Sequence, residues 1–309
     1  LRLGAEHVLP VPPLDLPCSD QPDAMEAAPA LQLLARCTTA QGVAWDRSPD
    51  GLRTAAAICT RLDGLPLAIE LAAARLRVLT PAALLERLAT CLPLLTGGAV
   101  DAPQRQRTLR ATIAWSHDLL DAGTQRLFRR LGCCVGGWSL STAEAMDGDA
   151  PATLARLGHL LDQALIQRAD DVDGQPRFSM LETIRAYALE RLRNAGDAPL
   201  ARQRHAACLA DLVEPLDRRL RSAGRAPALE LLRAERSNLR AALHWCLRDA
   251  PDALLAGRLL AALAWWWYFD DAPAEGQAWC SECLALALPM PAPLRARVLL
   301  AAARAAVHG

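Results

Sequence analysis

The stretch Ile58-Cys-Thr-Arg-Leu-Asp-Gly-Leu-Pro-Leu-Ala-Ile-Glu-Leu-Ala-Ala-Ala-Arg-Leu76 predicts two α-helices that meet at a short corner. Gly64 can adopt the positive φ that ends a helix, and Pro66 suits the first turn of the helix that follows. Beyond the corner, apolar residues recur at helical spacing and predict one buried stripe, formed by Leu67, Leu71, Ala74 and Val78. The corner therefore indicates a helical domain.

Helical spacing continues on both sides of this corner. It predicts helices over residues 27–39, 49–62, 66–79 and 81–91. Residues 7–11 are the best early strand candidate, a proline-rich connector follows over 10–22, and residues 97–106 form a linker. The first part of the chain is thus predicted to contain a series of short helices.

A different order of elements follows the linker. Helices are predicted over residues 108–120 and 124–133, after Ser141, and over 151–164, and strand-like runs at 165–168 and 177–180 flank a polar turn at Gly174. Ser179-Met-Leu-Glu182 has the spacing of a capping box that starts a closing helix. Helices followed by one hairpin and a closing helix predict a winged-helix domain.

The remainder is predicted to consist of helical hairpins. Helices are expected near residues 200–221, 227–248, 252–269, 274–288 and 293–307, with a kink at Pro215. Helix pairs joined by short proline-containing turns are typical of a tetratricopeptide-like solenoid, although no clean consensus repeat is present. The predicted fold class is therefore mainly α: a helical lid domain, a winged-helix domain with one small β-hairpin, and an α-solenoid arm.

Composition excludes several classes of function. The chain has 34 basic and 34 acidic residues, so no overall charge draws it to nucleic acid or to an anionic membrane. All of the basic residues are arginine, which excludes a phosphate-loop lysine and a Schiff-base lysine. The histidines are dispersed, and neither a zinc-protease motif nor a G-x-S-x-G elbow occurs.

Cysteine usage and hydropathy indicate a reduced and soluble setting. The cysteines are scattered along a large chain, and Cys280-Ser-Glu-Cys283 lies within a predicted helix, where buried packing explains it better than redox or metal chemistry. The longest apolar run, residues 253–269, is short for a membrane span and contains Arg258. We therefore expect a cytoplasmic protein with no membrane partner.

Four motifs in this order resemble one family. They are the quoted 58–76 stretch, Thr108-Leu-Arg-Ala-Thr-Ile-Ala-Trp-Ser116, Phe178-Ser-Met-Leu-Glu-Thr-Ile-Arg-Ala-Tyr-Ala188 and Ser237-Asn-Leu-Arg-Ala-Ala-Leu243. The chain resembles the bacterial STAND-class signal-transduction ATPases, which are similar to NB-ARC and AP-ATPase proteins and include large transcriptional regulators. The resemblance implies an effector domain, a phosphate-loop ATPase core, a helical lid, an internal winged helix and a repeat sensor, in that order.

This resemblance implies domain boundaries and a set of candidate nucleotide-binding residues. Residues 1–22 would be the end of the core and a connector, 23–98 the lid, 99–196 the winged helix, and 197–309 truncated repeats. The Walker A and Walker B motifs would lie upstream, which agrees with the absence of G-x-x-x-x-G-K-[ST] here. The candidate nucleotide-binding residues are Gly64, Leu65, Pro66, Leu67, Leu181 and Glu182.

The two groups of candidate residues have different implied roles. Gly64-Leu-Pro-Leu67 matches a family motif whose proline side lies near the adenine, and a purely structural corner is the alternative. Leu181 and Glu182 align with the family's Met-His-Asp segment, whose histidine meets the β-phosphate. Leu181 cannot donate a hydrogen bond to phosphate, which puts that latch in doubt, and Glu182 is explained equally well by the capping box.

The cofactor implied by the resemblance is ATP or ADP, with magnesium bound in the missing core. This fragment is not expected to bind nucleotide tightly or to hydrolyse ATP alone. The implied partners are the missing ATPase core in cis and an unknown protein or small-molecule signal at the repeats. DNA is expected to contact only a domain outside this chain.

The predicted winged helix lacks the charge that DNA contact requires. Helix 151–164 offers Arg156 and His159 against Asp162, and the hairpin tip is acidic at Asp170, Asp171 and Asp173. We therefore expect the winged helix to act within the molecule.

Two functions remain open from the sequence. The first is a regulatory switch in which nucleotide exchange is coupled through the lid and winged helix to a sensing arm. The second is a nucleotide-independent helical scaffold whose repeats bind a protein. The run Trp265-Trp-Trp-Tyr-Phe269 covers every side of a helix and predicts core packing, with a partner-binding anchor as the alternative.

Overall fold

The computed structural model describes residues 11–19, 21–88, 109–270, 272–286 and 288–308. These residues form helices and one small antiparallel sheet, which confirms the mainly α fold class. The chain divides into two compact units. The first comprises Leu1–Ser116 with Leu181–Tyr187, and the second comprises His117–Met180 with Ala188–Gly309. The domain boundaries implied by the resemblance stay predictions.

The first unit consists mainly of short helices. They are α1 (Pro22–Ala27), α2 (Pro29–Ala40), α3 (Pro49–Arg61), α4 (Pro66–Arg75), α5 (Pro81–Leu88) and the larger part of α6 (Leu109–Asp118). Helices α1 to α5 each begin at a proline, which suits this position because its missing N–H would have no partner in the first turn. The core contains residues that are at most 1% exposed: Leu31, Leu34, Leu52, Ile58, Ile69 and Leu84.

Several sequence predictions for this unit need correction. The predicted helix 27–39 is divided, because α1 ends at Ala27 and α2 begins at Pro29. Helix α4 ends at Arg75, and Val78 is 84% exposed, so the predicted stripe was wrong at its far end. The buried face of α4 instead contains Ala68, Ile69, Leu71, Ala72 and Ala73. Of the predicted strand 7–11, only Val11 is described, and it belongs to no strand. The linker 97–106 lies outside the described residues.

The second unit opens with the elements of a winged helix. After α7 (Ala122–Leu131) come β1 (Trp138–Ser139), α8 (Leu140–Asp147), α9 (Ala150–Asp162), β2 (Gln167–Val172), β3 (Gln175–Ser179) and α10 (Glu182–Asn194), whose first turns belong to the first unit. The sheet order is β1-β3-β2, and Phe178 of β3 pairs with Trp138 on one side and Arg168 on the other. Asp173 and Gly174 have φ values of 51° and 70° at the hairpin turn.

Two predictions here were incomplete or wrong. The sheet has a third strand, β1, which was not predicted because two residues show no alternation. The capping box was wrong, because Ser179 is the last residue of β3, where it pairs with Gln167, and α10 begins only at Glu182. The start of α10 is therefore capped in another way.

The rest of the second unit is a helical arm. Its helices are α11 (Ala198–Val213), α12 (Leu216–Leu220), α13 (Arg225–Ala234), α14 (Arg236–His244), α15 (Ala253–Ala262), α16 (Ala264–Phe269), α17 (Pro273–Ala285) and α18 (Ala292–His308), with a π-helical turn at Trp245–Asp249. Pro215 separates α11 from α12, as its predicted kink required. The predicted helices 227–248 and 252–269 are each divided into shorter segments. The tetratricopeptide-like character of the arm stays a prediction.

No helix among the described residues combines the length and apolar character needed to cross a membrane. No cluster of three or more histidine, cysteine, aspartate or glutamate side chains in the described ranges could hold a metal ion.

Candidate functional site

The corner between α3 and α4 has the backbone geometry that its sequence predicts. Asp63 and Gly64 have φ values of 55° and 66°, and the Gly64 amide donates to the Cys59 carbonyl at 3.1 Å. The Gly64 carbonyl in turn accepts from the Leu14 amide at 3.0 Å. A Cβ added at Gly64 would lie 2.3 Å from the Leu14 carbonyl oxygen. Glycine is therefore required both by the backbone conformation and by the close approach of the connector.

The candidate nucleotide-binding residues of the corner differ in accessibility. Gly64 is buried, Leu65 and Leu67 are half-buried, and Pro66 is exposed at the start of α4. Pro66 has no N–H to donate, so the corner presents an apolar surface without a donor at that position. This arrangement suits contact with the face of a flat, uncharged group.

The structure brings the corner next to the second group of candidate residues. One carboxylate oxygen of Asp63 accepts hydrogen bonds from the Thr183 backbone amide and from the Thr183 hydroxyl, both at 3.0 Å. Thr183 is only 5% exposed and lies in the first turn of α10, directly after Leu181 and Glu182. Asp63 thus fills the role that the capping box was predicted to have.

Burial dominates the electrostatics of Asp63. It raises the pKa of the carboxyl group above its ordinary value, while hydrogen bonds from the backbone of Thr183 and Glu182 and from the Thr183 hydroxyl act in the opposite direction. Glu182 is held by Arg185, whose Nε and Nη2 donate to its two oxygens at 2.8 and 2.7 Å. Leu181 is half-buried. Both carboxylates at the start of α10 therefore have partners: Asp63 accepts from Thr183, and Glu182 accepts from Arg185.

The surface of the winged helix that would face DNA has little available positive charge. Arg156 on α9 donates to Asp147 at 2.5 Å and to Asp149 at 3.1 Å. His159 lies 3.8 Å from Asp121. In the wing, Arg168 of β2 donates to Asp171 at 2.5 Å.

Apolar groups occupy part of the outer face of α9. Leu154 is 65% exposed and Leu161 is 37% exposed. A recognition helix that contacts phosphates usually carries arginine or lysine side chains directed at them. The described side chains of α9 and the wing therefore offer few free cations to phosphate, and a role of the winged helix within the molecule stays a prediction.

A buried polar network joins the winged helix to the arm. The side chain of Asn238 on α14 is fully buried. Its Oδ1 accepts from the Val135 amide at 2.6 Å, and its Nδ2 donates to the Gly137 carbonyl at 2.8 Å and to Glu235 at 2.6 Å. The carbonyl oxygen and the amide nitrogen of the Asn238 side chain thus both bind the loop before β1 and connect it to α14.

Charged and titratable groups complete this network. Glu235, 1% exposed, also accepts from Arg177 of β3, which is 4% exposed. His205 of α11 lies with its Nε2 3.3 Å from Asn238 Oδ1. Burial lowers the pKa of His205 to about 4, so this ring is neutral near pH 7 and can donate to the carboxamide as its Nε2–H tautomer.

Sequence reasoning missed the two residues that organise these sites. Asp63 bonds to a residue 120 positions away, and Asn238 bonds to residues more than 100 positions away. The only available signal was their position inside recognisable motifs, the corner and the 237–243 segment. Long-range partners of this kind cannot be read from local spacing.

Comparison with known proteins identifies one domain. Residues 120–193 match a family model described as "Winged helix-turn-helix domain". This confirms the winged helix predicted from the order of its elements. No solved structure matches the chain.

Longer relatives occur in mycobacteria. Over 235 residues the chain is 42% identical to proteins named "Putative HTH-type transcriptional regulator" in Mycobacterium tuberculosis and Mycobacterium bovis, with 74% of this chain and 26% of the relative covered. It is also 40% identical over 158 residues to an uncharacterised Mycobacterium tuberculosis protein, with 49% of this chain and 40% of the relative covered. The chain thus spans about a quarter of the length of the regulators that it matches.

Proposed function

We propose that this chain is part of a transcriptional regulator whose activity is switched by ATP or ADP. In this proposal nucleotide exchange occurs in an ATPase core outside the described residues, and the lid and winged helix pass the change to the helical arm. Support for a regulatory role comes from the winged helix-turn-helix match and from the names of the longer relatives. Support for nucleotide binding comes from the family resemblance of the sequence and from one contact in the first unit.

That contact is the pair of hydrogen bonds from Thr183 to Asp63. It holds the Gly64–Leu67 corner beside the start of α10, so both groups of candidate residues belong to one place. A ligand that touched the corner would therefore also change the surroundings of Leu181 and Glu182. Both hydrogen bonds end on the same oxygen of Asp63, so loss of that carboxylate removes both of them.

The residues present fit the base of a nucleotide better than its phosphates. Exposed Pro66 and half-buried Leu65 offer apolar contact to adenine. At the start of α10, by contrast, Leu181 has no side-chain donor, the Glu182 carboxylate is bound to Arg185, and the Thr183 amide donates to Asp63. We propose that phosphate and magnesium are held by the missing core, and that this chain supplies only the contact to the base.

The proposal is tested by calorimetric titration of ADP into the full-length gene product and into this 309-residue chain. The expected result is saturable binding to the full-length protein and none to the shorter chain. Pro66→Glu should weaken ADP binding about 10-fold, since it places a charged group at the base contact. Pro49→Glu is the matched control, because Pro49 is the equally exposed first residue of α3.

A nucleotide-independent scaffold is the second candidate. The buried network around Asn238 favours it, because it fixes the winged helix and the arm as one body that could present the arm to a protein. If the full-length protein fails to bind ADP, the switch is excluded and the scaffold remains.

A further inference from the structure

The aromatic run on α16 forms a ladder with two arginines. The rings of Trp265 and Phe269 stack with centroids 6.0 Å apart and planes inclined by 21°. The Arg304 guanidinium lies 4.3 Å from the Trp265 ring centroid, and the Arg225 guanidinium lies 4.3 Å from that of Phe269. The order along the ladder is therefore arginine, aromatic, aromatic, arginine.

The run divides between core and surface. Trp266 and Trp267 are 3% and 2% exposed and belong to the core of the arm, as the sequence predicted. Tyr268 is 45% exposed and meets Phe269 and Trp265 edge-on, with centroid separations of 5.0 and 6.0 Å. Core packing therefore explains only part of the run, and Tyr268 adds an aromatic side chain beside the ladder.

The two arginines of the ladder differ from their neighbours in charge pairing. Arg233 and Arg236 both lie within 3.3 Å of Asp270. Arg225 donates its Nε–H to the Leu220 carbonyl at 3.2 Å, and the Arg304 guanidinium lies over the ring of Trp265. Neither arginine has a carboxylate partner among the described residues. A guanidinium that stacks on a ring uses its face, which leaves N–H groups on its edge to bind a carboxylate.

We propose that this ladder, formed by Arg304, Trp265, Phe269 and Arg225 with Tyr268 beside it, docks an extended acidic segment of a partner protein. The three separations place the guanidiniums at most roughly 15 Å apart, a distance that an extended chain covers in about four to five residues. The segment would carry carboxylates about four residues apart, which point to the same side of an extended chain. An apolar side chain between them would pack on Tyr268.

Single-stranded nucleic acid fits this surface less well. Proteins bind such strands by stacking bases on open ring faces. Here the two rings stack on each other, and each also has a guanidinium over it, Arg304 over Trp265 and Arg225 over Phe269. The open parts of the ladder are guanidinium edges, which favour carboxylates on a peptide.

The test is fluorescence anisotropy with the 309-residue chain and a dye-labelled heptapeptide that has glutamate at its second and sixth positions and leucine between them. A peptide with glutamine in place of both glutamates is the matched probe. We expect saturable, salt-sensitive binding of the glutamate peptide and at least about 10-fold weaker binding of the glutamine peptide. Arg225→Gln with Arg304→Gln should reduce affinity for the glutamate peptide to that of the glutamine peptide.

Controls separate docking from folding. Arg193→Gln alters an exposed arginine of the winged helix whose Nε–H donates to the Leu189 carbonyl, and it should leave binding unchanged. Tyr268→Ala removes an exposed ring and should weaken binding even if the double variant proves unstable. Equal binding of both peptides, no binding, or tighter binding of a dye-labelled thymidine oligonucleotide would overturn the proposal. This inference deepens the second candidate function, in which the arm is presented to a protein, and rests on that proposal. The test uses no nucleotide, so its failure leaves the ADP test standing.

Discussion

The carboxylate of Asp63 accepts from both the backbone amide and the hydroxyl of Thr183, each at 3.0 Å. The two residues are 120 positions apart, yet the aspartate occupies the place of an N-cap for α10. The first turn of α10 is therefore capped by a residue of the α3–α4 corner, which belongs to the same compact unit.

Asp63→Ala should destabilise the start of α10. Loss of an N-cap acceptor costs about 1–2 kcal/mol, and the Thr183 amide would lose its partner in a partly buried site. Hydrogen–deuterium exchange of residues 182–185 should become faster in this variant, and the urea midpoint should fall.

Two further substitutions make this result specific to the cap. Asp63→Asn keeps an oxygen acceptor and should lose much less stability than the alanine variant. Asp23→Ala, at an exposed position in the first turn of α1, should change neither measurement. Equal exchange in Asp63→Ala and wild-type protein would show that the hydrogen bonds do not cap α10.

Local sequence signals gave the order of helices but not their partners. The α3–α4 corner was predictable because Gly64 marks the end of one helix and Pro66 marks the start of the next. The two-residue strand β1 was not, because it depends on pairing with β3 rather than on alternation. Ser179 and Glu182 had capping-box spacing, but strand pairing of Ser179 with Gln167 took precedence over the cap.

Local sequence signals were also insufficient in the helical arm. Pro215 marked a break, whereas the break between α15 and α16 falls at Leu263, where no proline or glycine signals it. Asn238 lay inside a recognisable motif, but its role depends on Val135 and Gly137 in a distant loop.

Asn238→Ala should destabilise the second unit by about 2–4 kcal/mol. It leaves the Val135 amide and the Gly137 carbonyl without their buried partner, and each unsatisfied group costs about 1–3 kcal/mol. Asn238→Asp should also be destabilising, since it puts a second carboxylate beside Glu235 in place of a donor. Urea unfolding monitored by circular dichroism gives the free energy of unfolding of both variants. Asn194→Ala, at the exposed end of α10, is the matched control, and an equal effect of the two alanine variants would contradict the network.

Acid should destabilise the second unit through His205. Burial lowers the pKa of His205 to about 4 in the native state, whereas the unfolded chain takes up the proton near 6.5. The stability contributed by the neutral ring is therefore fully present above about pH 6.5 and is lost as the pH falls towards 4. The total loss is on the order of 3 kcal/mol.

The measurement is the free energy of unfolding between about pH 7 and pH 4.5 in wild-type protein and in His205→Gln. The variant has no ring to protonate, so its stability should fall less steeply across this range. Its stability at neutral pH is measured separately, because the substitution also changes the contact with Asn238. Parallel pH curves for the two proteins would show that His205 is not protonated on unfolding.

The winged helix of this chain should not bind duplex DNA at about 150 mM salt, because the arginines of α9 and of the wing are paired with carboxylates. Arg156 is paired with Asp147 and Asp149, and Arg168 is paired with Asp171. Fluorescence anisotropy with a random-sequence duplex over a salt series is the measurement.

Replacing Asp170 and Asp171 by arginine reverses the charge of the wing and should create binding that weakens steeply with salt. The control Asp23→Arg, on α1, should not create such binding. Steep, salt-sensitive binding by the wild-type chain would mean that ion pairing within the domain does not keep it from DNA, and the role within the molecule would then be wrong.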